Sequence, residues 1–300
     1  MISVGIFTGY YPYTIDETIH RIKASDFNCV QLDVSFKDCD ATKEKLTREK
    51  ATMIRDKFRD ANLPIIAVSA YTNFIHPNPN IRKNNIEYIK MMLRHARDLG
   101  CPYVCSETGT YNEESDWVWH DNNALPQVYE ETIKTIHEIG EYAKDYGAMF
   151  LVENYVSNVI GSVDSVERMF KDIESKNVGL ICDPTNYFDE KNIQQVDETL
   201  MDIFNRLSPF MKIAHAKDIK VATNVAEKHV DIDADASHTF RGAGAVELPA
   251  AGLGILNYDL YLKLLSEKHP NIPLIIEHLD EDDVARAKRF VNNVLKRVGV

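Results

Sequence analysis

Residues 148–153 read Ala-Met-Phe-Leu-Val-Glu, a short apolar run that ends in an acid at Glu153. The same design returns three times later in the chain, in Gly179-Leu-Ile-Cys-Asp183, Lys212-Ile-Ala-His215 and Leu274-Ile-Ile-Glu277. Apolar runs of about four to eight residues are typical of buried strands. Each of these strands therefore ends by presenting an ionisable side chain at the edge of a dry core.

Eight runs of this kind alternate with helical patterns along the chain. They lie at about residues 2–7, 29–34, 64–70, 103–107, 148–153, 178–183, 211–216 and 273–278. Regular alternation of strand and helix predicts parallel strands joined by crossover helices. Eight such units in 300 residues fit an α/β fold of the closed (β/α)8 TIM barrel type better than an open doubly wound sheet. The segment after the first run, Phe7-Thr-Gly-Tyr-Tyr-Pro-Tyr13, also lacks the glycine-rich fingerprint of dinucleotide-binding sheets.

Several helix boundaries are marked by capping residues. Thr14 and Glu17 have the spacing of a capping box before the first helix, and Asn257 is placed to cap the seventh. Gly100 and Gly147 stand where the third and fourth helices should end, directly before the next strands. These signals predict where the crossover helices begin and end.

Nothing in the composition divides the chain, so residues 1–300 are predicted to form a single barrel domain. One connection is unusually long, since residues 219–255 separate the seventh strand from its helix. Connections of this length within a compact domain are usually active-site lids or disordered segments. We expect a lid.

The composition limits the kinds of partner that the protein is expected to bind. A net charge of -12 offers no basic stripe for nucleic acid, and no run reaches the roughly twenty apolar residues of a membrane span. The five scattered cysteines are typical of reduced thiols rather than of a disulfide framework, and no basic leader precedes the first apolar run. We therefore expect a cytoplasmic protein that acts on a small molecule, without nucleic acid or membrane as a partner.

The four polar strand ends predict a metal centre. Side chains at the carboxyl ends of TIM-barrel strands meet at one mouth, so Glu153, Asp183, His215 and Glu277 are expected to converge. Three carboxylates and an imidazole in a dry site repel and desolvate one another unless a divalent cation holds them. The alternative is a mouth in which several basic side chains compensate the acids. His278, next along the chain, is expected to face the opposite side of its strand.

The motifs resemble those of a known family, the xylose-isomerase-like barrels. The matching segments are Val152-Glu-Asn-Tyr155, Cys182-Asp-Pro-Thr-Asn186, His215-Ala-Lys-Asp218, Gly252-Leu-Gly-Ile-Leu-Asn-Tyr258 and Ile275-Ile-Glu-His278. That family includes sugar isomerases, ketose 3-epimerases, inosose dehydratases and apurinic endonucleases. The resemblance implies one divalent ion, manganese, magnesium, cobalt or zinc, held by four side chains: Glu153, Asp183, His215 and Glu277.

Differences from the family patterns limit the reactions that this chain is expected to catalyse. Asn186 stands three residues after Asp183, where endonucleases and many epimerases of the family carry histidine, and the third and fourth strand ends lack further histidines. A trinuclear centre of the endonuclease type is therefore not expected. Ketose 3-epimerases also tend to carry an arginine soon after the metal histidine, whereas this chain has Lys217-Asp218, which puts ketose specificity in doubt.

In the resembling epimerases, two metal-binding glutamates remove and return a proton on opposite faces of a planar cis-enediolate. The resemblance assigns these roles to Glu153 and Glu277. Lys217 follows His215 by two positions on a strand and should point the same way into the mouth. It is the candidate to neutralise an alkoxide or a substrate phosphate.

Candidate substrate-binding residues surround the predicted mouth: Glu107, Asn186, Trp117 and Tyr10. Aromatic faces stack on sugars and exclude water, and both aromatic residues lie in predicted rim loops. These loops could instead pack on the barrel or form a homo-oligomer contact, and Glu107 could be an ordinary ion-pair partner. Gly252-Leu-Gly254 could cradle a phosphate or simply form a tight turn into the next helix.

Together these patterns favour a metal-dependent isomerase or epimerase of a small sugar or sugar derivative. Three alternatives stay open: an inosose-dehydratase-like lyase that eliminates water from a keto-polyol, an endonuclease-like phosphoesterase, and a carbohydrate-binding barrel without turnover.

Overall fold

Eight parallel strands close into a barrel in which each strand pairs with the next and the eighth pairs with the first. The computed structural model describes residues 2–222, 242–243, 246–277 and 279–300. The barrel strands, β1 to β8, are Ser3–Phe7, Cys29–Leu32, Ile65–Ser69, Tyr103–Glu107, Met149–Glu153, Val178–Cys182, Met211–Ala216 and Pro273–Ile276. The predicted TIM barrel is confirmed, although β2 and β8 end two residues earlier than the apolar runs suggest.

Helices alternate with the strands. They are α1 to α8: Ile15–Ala24, Arg48–Asp60, Pro79–His95, Pro126–Asp145, Val163–Asp172, Val196–Leu207, Tyr258–Lys268 and Val284–Val298. The side chain of Thr14 accepts the Glu17 N–H, and the side chain of Asn257 accepts the Leu260 N–H, as their spacing predicts. Within the described residues, every helix is too short or too polar to span a lipid bilayer.

A layer of buried apolar side chains lies inside the barrel below its mouth. It joins residues from five adjacent strands, β3 to β7: Ala67, Cys105, Leu151, Ile181 and Ile213. A larger cluster fills the space between the strands and the helices. Because successive strand residues face opposite sides, a residue two positions after a layer member also faces inward. This alternation directs the strand ends toward the mouth.

The long connection between β7 and α7 is only partly described. Its described residues form a small antiparallel sheet from Lys220–Val221, Gly242–Ala243 and Val246–Glu247. The lid predicted within residues 219–255 falls largely on 223–241 and 244–245, which lie outside the described residues, as does His278.

Candidate metal centre and cavity

The alternation of the strands places the polar strand ends inside the barrel mouth. Glu153 follows the inner-layer residue Leu151 by two positions, and Asp183 and His215 stand in the same relation to their own strands. Glu277 follows the last residue of β8. Four strand ends, β5 to β8, thus contribute one ionisable side chain each.

The four side chains meet around one point. The Nδ1 atom of His215 lies 3.3 Å from Asp183 Oδ2 and 3.4 Å from Glu153 Oε1. The same Nδ1 atom lies 3.3 Å from Glu277 Oε2. One ligand atom of each residue lies within 4.8 Å of the other three, and all four residues are buried. The structure therefore brings together the four residues that were expected to converge.

Hydrogen bonds outside the centre orient two of these side chains. Asp183 Oδ1 accepts hydrogen bonds from the backbone N–H and the hydroxyl of Thr185, at 3.1 and 2.6 Å, so Oδ2 faces the centre. His215 Nε2 lies 2.8 Å from the amide oxygen of Gln31, so Nδ1 faces the centre. Partners of this kind fix the rotamer and the tautomer of metal ligands.

Both carboxylate oxygens of Glu153 accept hydrogen bonds. The hydroxyl of Tyr71 donates to Oε2, and the amide of Asn186 donates to Oε1 at 2.8 Å. Asn186, a candidate substrate-binding residue, therefore contacts a candidate metal ligand directly. A buried, oriented set of three carboxylates and one imidazole fits a divalent cation of the magnesium, manganese, cobalt or zinc class.

Lys217 reaches into the same centre. Its Nζ atom lies 2.8 Å from Asp183 Oδ2 and 3.5 Å from both Glu153 Oε1 and Glu277 Oε2. The side chain points into the mouth, as its position two residues after His215 predicts. The ammonium also compensates part of the acidic charge, which is the alternative to metal binding raised by the sequence.

These charges shift the pKa values of the centre. Burial lowers the pKa of His215, but the charges of Glu277 and Glu153 outweigh burial and raise it to about 10. Burial raises the pKa of Glu277 to about 7, against the opposing charges of His215 and Lys217. Burial disfavours the ionised form of Asp183, yet Lys217 and His215 hold its pKa well below its usual range.

A cavity of about 710 Å³ opens above the centre. The substrate-binding candidates Tyr10, Glu107, Trp117 and Asn186 all line it. Glu107 is buried at the end of β4, and its backbone pairs with that of Glu153 on β5. The Trp117 ring packs edge-on against Tyr155, with 5.6 Å between the ring centroids. The structure thus places all four candidates in the lining of one cavity, which also includes Glu153 and Glu277.

Three buried polar atoms beside this cavity have no hydrogen-bond partner among the described residues. They are Thr72 Oγ1, the Tyr155 hydroxyl and Asn186 Oδ1, and all three residues line the cavity. Buried polar groups are seldom left unpaired in a folded protein. All three atoms are shielded from solvent, so a ligand in the cavity could reach them only after these side chains move.

The glycine turn before α7 has a structural partner. The Asp218 carboxylate accepts the N–H groups of Ile219, Gly252 and Leu256, at 2.8, 2.9 and 2.9 Å. A Cβ atom at Gly254 would stand 2.4 Å from Asp218 Oδ1. The turn binds a carboxylate of its own chain, so the tight-turn interpretation of Gly252-Leu-Gly254 is correct and the phosphate cradle is not.

Sequence reasoning missed two residues of the centre. Gln31 lies inside the apolar run Cys29–Leu32, and Tyr71 follows β3 by two positions. A polar amide in an apolar strand was a usable signal for Gln31, because such a side chain needs a partner. The contact of Tyr71 with Glu153 joins residues 82 positions apart, and no local pattern marks it.

Comparisons with known proteins agree with this architecture. A family model described as xylose isomerase-like TIM barrel matches residues 19–294. An uncharacterized protein of Methanocaldococcus jannaschii is 28% identical over 133 residues, a match that covers 43% of this chain and 43% of that protein.

Two solved structures are similar over nearly their whole length. A D-tagatose 3-epimerase-like protein has a TM-score of 0.71 at 19% identity, covering 99% of this chain and 98% of its own. A xylose isomerase-like TIM barrel protein from Mycobacterium smegmatis, in complex with magnesium, has a TM-score of 0.70 at 16% identity, covering 100% and 97%. At these identities the likeness shows the fold. Because the family model spans nearly the whole sequence, this chain belongs to the xylose isomerase-like TIM barrel family.

Proposed function

We propose that this protein is a divalent-metal-dependent isomerase or epimerase of a small sugar or sugar derivative, which reacts through a cis-enediolate. The observation that carries the proposal is the convergence of Glu153, Glu277 and Lys217 on one buried point beneath a cavity. The likeness to a D-tagatose 3-epimerase-like protein supports a sugar as the substrate. The magnesium in a second similar structure supports a divalent cofactor.

In the proposed reaction, Glu153, Asp183, His215 and Glu277 would hold the ion. Such an ion would supply the positive charge that polarises a substrate carbonyl and acidifies the neighbouring C–H. Glu153 and Glu277 come from β5 and β8, which are separated by two strands, so they approach the substrate from different parts of the rim. One removes the proton and the other returns a proton to the opposite face.

Several contacts suit these roles. Burial raises the pKa of Glu277 in the centre without an ion, and a bound cation would lower it and favour the carboxylate that accepts the proton. The Lys217 ammonium, 3.5 Å from each glutamate, stabilises negative charge on a substrate oxygen. Asn186, which lines the cavity, orients Glu153 by donating to its Oε1 atom at 2.8 Å.

The test is proton exchange in deuterated water. The manganese-loaded protein is incubated with ketoses and keto-polyols, and deuterium should appear at the carbon beside the carbonyl. Loss of water from a keto-polyol would favour the lyase. Cleavage of abasic DNA without exchange on any sugar would favour a phosphoesterase, and binding of sugars without exchange would leave a carbohydrate-binding barrel.

A further inference from the structure

The cavity continues beyond the candidate metal centre. Its lining also includes Asp33 and Thr42, which follow β2, and Asn84, Asn85 and Tyr88 on α3. We call these five residues the distal arm. None of them belongs to the candidate ligand set, and the proposed reaction gives none of them a role.

The volume of the cavity exceeds what one sugar ring needs. A hexose has twelve heavy atoms, and at no more than about 30 Å³ for each, the volume of a water molecule in the liquid, it fills at most about 360 Å³. The cavity measures about 710 Å³. Beside a hexose, the cavity therefore has room for a second unit of comparable size.

The charge of the lining selects what that second unit can be. Asp33, Glu107, Asp116, Glu153 and Glu277 all line the cavity. Among the described residues of the lining, the sole lysine or arginine is Lys217, which the acids of the metal centre already contact. Like charge in a partly dry site repels an anion, so a phosphorylated unit is disfavoured.

Asp33 provides the carboxylate among the five residues of the distal arm. Its carboxylate accepts a hydrogen bond from the hydroxyl of Ser35, and no ion pair joins it to another described residue. Burial raises the pKa of Asp33, and after burial the charge of Asp33 is the main cause of the raised pKa of Tyr88. Gly9 lies close to this carboxylate, since a Cβ atom at Gly9 would stand 3.3 Å from Asp33 Oδ2.

Amide and hydroxyl groups complete the arm. Asn84 is exposed one helical turn before Tyr88, and Asn85 is anchored by its donation to the backbone oxygen of Asn73 at 2.8 Å. The hydroxyl of Thr42 donates to Asp40. Carboxylate, amide and hydroxyl groups together match the alternating donors and acceptors of a polyol.

We propose that the distal arm is a second subsite that binds the hydroxyl groups of an uncharged unit, such as another sugar ring, linked to the sugar that reacts at the metal centre. This inference rests on the proposed function, because it takes the reacting sugar to sit beside Glu153 and Glu277. It makes the substrate an unphosphorylated disaccharide or glycoside and gives Asp33 the role of a specificity-determining residue.

Three probes test the subsite by calorimetry on the manganese-loaded protein: fructose, isomaltulose and fructose 6-phosphate. Isomaltulose and fructose 6-phosphate differ only in whether O6 carries a glucosyl ring or a phosphoryl group. The dissociation constant of isomaltulose should be at least about tenfold lower than that of fructose, a difference that one or two net hydrogen bonds supply. Fructose 6-phosphate should bind more weakly than fructose.

Variants test whether residues of the distal arm cause the difference in affinity between fructose and isomaltulose. Asp33→Asn and Asn84→Ala should each bring the ratio of the fructose and isomaltulose dissociation constants toward one. Asp26→Asn is the matched control, since it removes an exposed carboxylate at the opposite end of β2, at a position with a φ of 55° that asparagine tolerates. Melting temperatures show that each variant is folded.

The outcomes separate the subsite from the proposed function. Tighter binding of fructose 6-phosphate than of both other sugars, or an unchanged ratio in both arm variants, would overturn the subsite. Deuterium exchange on fructose without any preference for isomaltulose would overturn the subsite while leaving the proposed function standing. Failure to bind or exchange all three sugars would count against both.

Discussion

The ammonium of Lys217 lies 2.8 Å from Asp183 Oδ2, the carboxylate oxygen that faces the candidate metal centre. It also lies 3.5 Å from an oxygen of Glu153 and of Glu277. The lysine therefore contacts three of the four side chains that are proposed to hold the ion. Lysine and cation must share these carboxylates, and their charges repel one another.

Replacing Lys217 should strengthen metal binding and weaken catalysis. In Lys217→Met the positive charge disappears while most of the length of the side chain is kept, so the affinity for Mn²⁺ should rise by about tenfold or more. Proton exchange should fall by roughly a hundredfold, because the charge on the substrate oxygen loses its partner. Titration calorimetry and deuterium exchange measure the two effects.

The control is Lys220→Met, which removes a nearby ammonium that pairs with Glu247 at 2.9 Å. It should leave metal affinity close to that of the native protein. If Lys217→Met binds Mn²⁺ no more tightly than the control does, the lysine is not a competitor of the ion.

The two glutamates are expected to be needed together. Glu153→Gln and Glu277→Gln each keep an oxygen ligand but remove proton transfer, so turnover should fall by roughly a hundredfold or more in both. Metal affinity should fall less than in Asp183→Asn, which loses the carboxylate that Lys217 contacts most closely. Loss of exchange in one variant only would indicate a one-face proton shuttle.

Near-native turnover in both glutamine variants, with the ion still bound, would rule out these residues as the acid–base pair. The search for the bases would then move to Glu107, which lines the same cavity.

Metal binding should release protons. His215 holds a proton with a pKa of about 10, and a metal ion at Nδ1 requires that nitrogen to be free of hydrogen. Between about pH 6 and 8 the affinity for Mn²⁺ should therefore rise by about tenfold per pH unit for each proton released. Glu277, with a pKa of about 7, adds a second proton toward the lower end of this range.

Calorimetry in two buffers with different ionisation enthalpies counts the protons. Release of about one proton per ion at pH 7.5 is expected from His215. An affinity that does not change with pH would mean that Nδ1 is not a ligand.

Much of this architecture could be predicted from the sequence because short apolar runs alternate with helical patterns eight times. The carboxyl ends of TIM-barrel strands meet at one mouth, so a polar residue that ends an apolar run is expected there. This rule predicted the positions of Glu153, Asp183 and His215, and the structure places Glu153 two residues after the inner-layer residue Leu151. Whether a residue ends a strand depends on its neighbours in the chain, so it can be predicted from the sequence.

The rest depends on contacts between distant segments. Asp33 falls inside a predicted strand, but β2 ends at Leu32, so Asp33 belongs to the cavity wall instead. Asp218 stands in a motif associated with metal binding, and only the structure shows its carboxylate turned toward the turn at Gly252. Such partnerships depend on how loops meet in space.

Gln31 is expected to set the metal affinity through His215. Its amide oxygen, 2.8 Å from Nε2, favours the tautomer in which Nε2 carries the hydrogen. The lone pair of Nδ1 is then available to a metal ion. Gln31→Met should weaken Mn²⁺ binding by about tenfold, the usual effect of losing a partner of a metal ligand. Gln31→Glu keeps an oxygen acceptor and should restore most of the affinity.

Equal affinity in the native protein and Gln31→Met would show that the contact does not control the tautomer. Ser69→Ala serves as the matched control, since Ser69 accepts a hydrogen bond from the amide nitrogen of Gln31 at 3.1 Å and forms none with His215 in the part of the chain that the structure describes.

Asp218 is expected to hold the entrance to α7 together. Its carboxylate accepts three backbone N–H groups, from Ile219, Gly252 and Leu256, and the residue is buried. Asp218→Ala leaves those donors without their acceptor, and at about 1–3 kcal/mol for each buried unsatisfied group the free energy of unfolding should fall by roughly 3–5 kcal/mol after partial relaxation. Asp218→Asn keeps one acceptor oxygen and should lose less.

Urea unfolding of the three proteins measures the difference, with Asp60→Ala at an exposed position of α2 as the control, for which a change within about 0.5 kcal/mol is expected. Because Asp218 adjoins Lys217, Asp218→Ala should also loosen the lysine and reduce proton exchange at a temperature where the variant is still folded. A stable Asp218→Ala protein with native exchange would show that the turn at Gly252 holds its shape without the carboxylate.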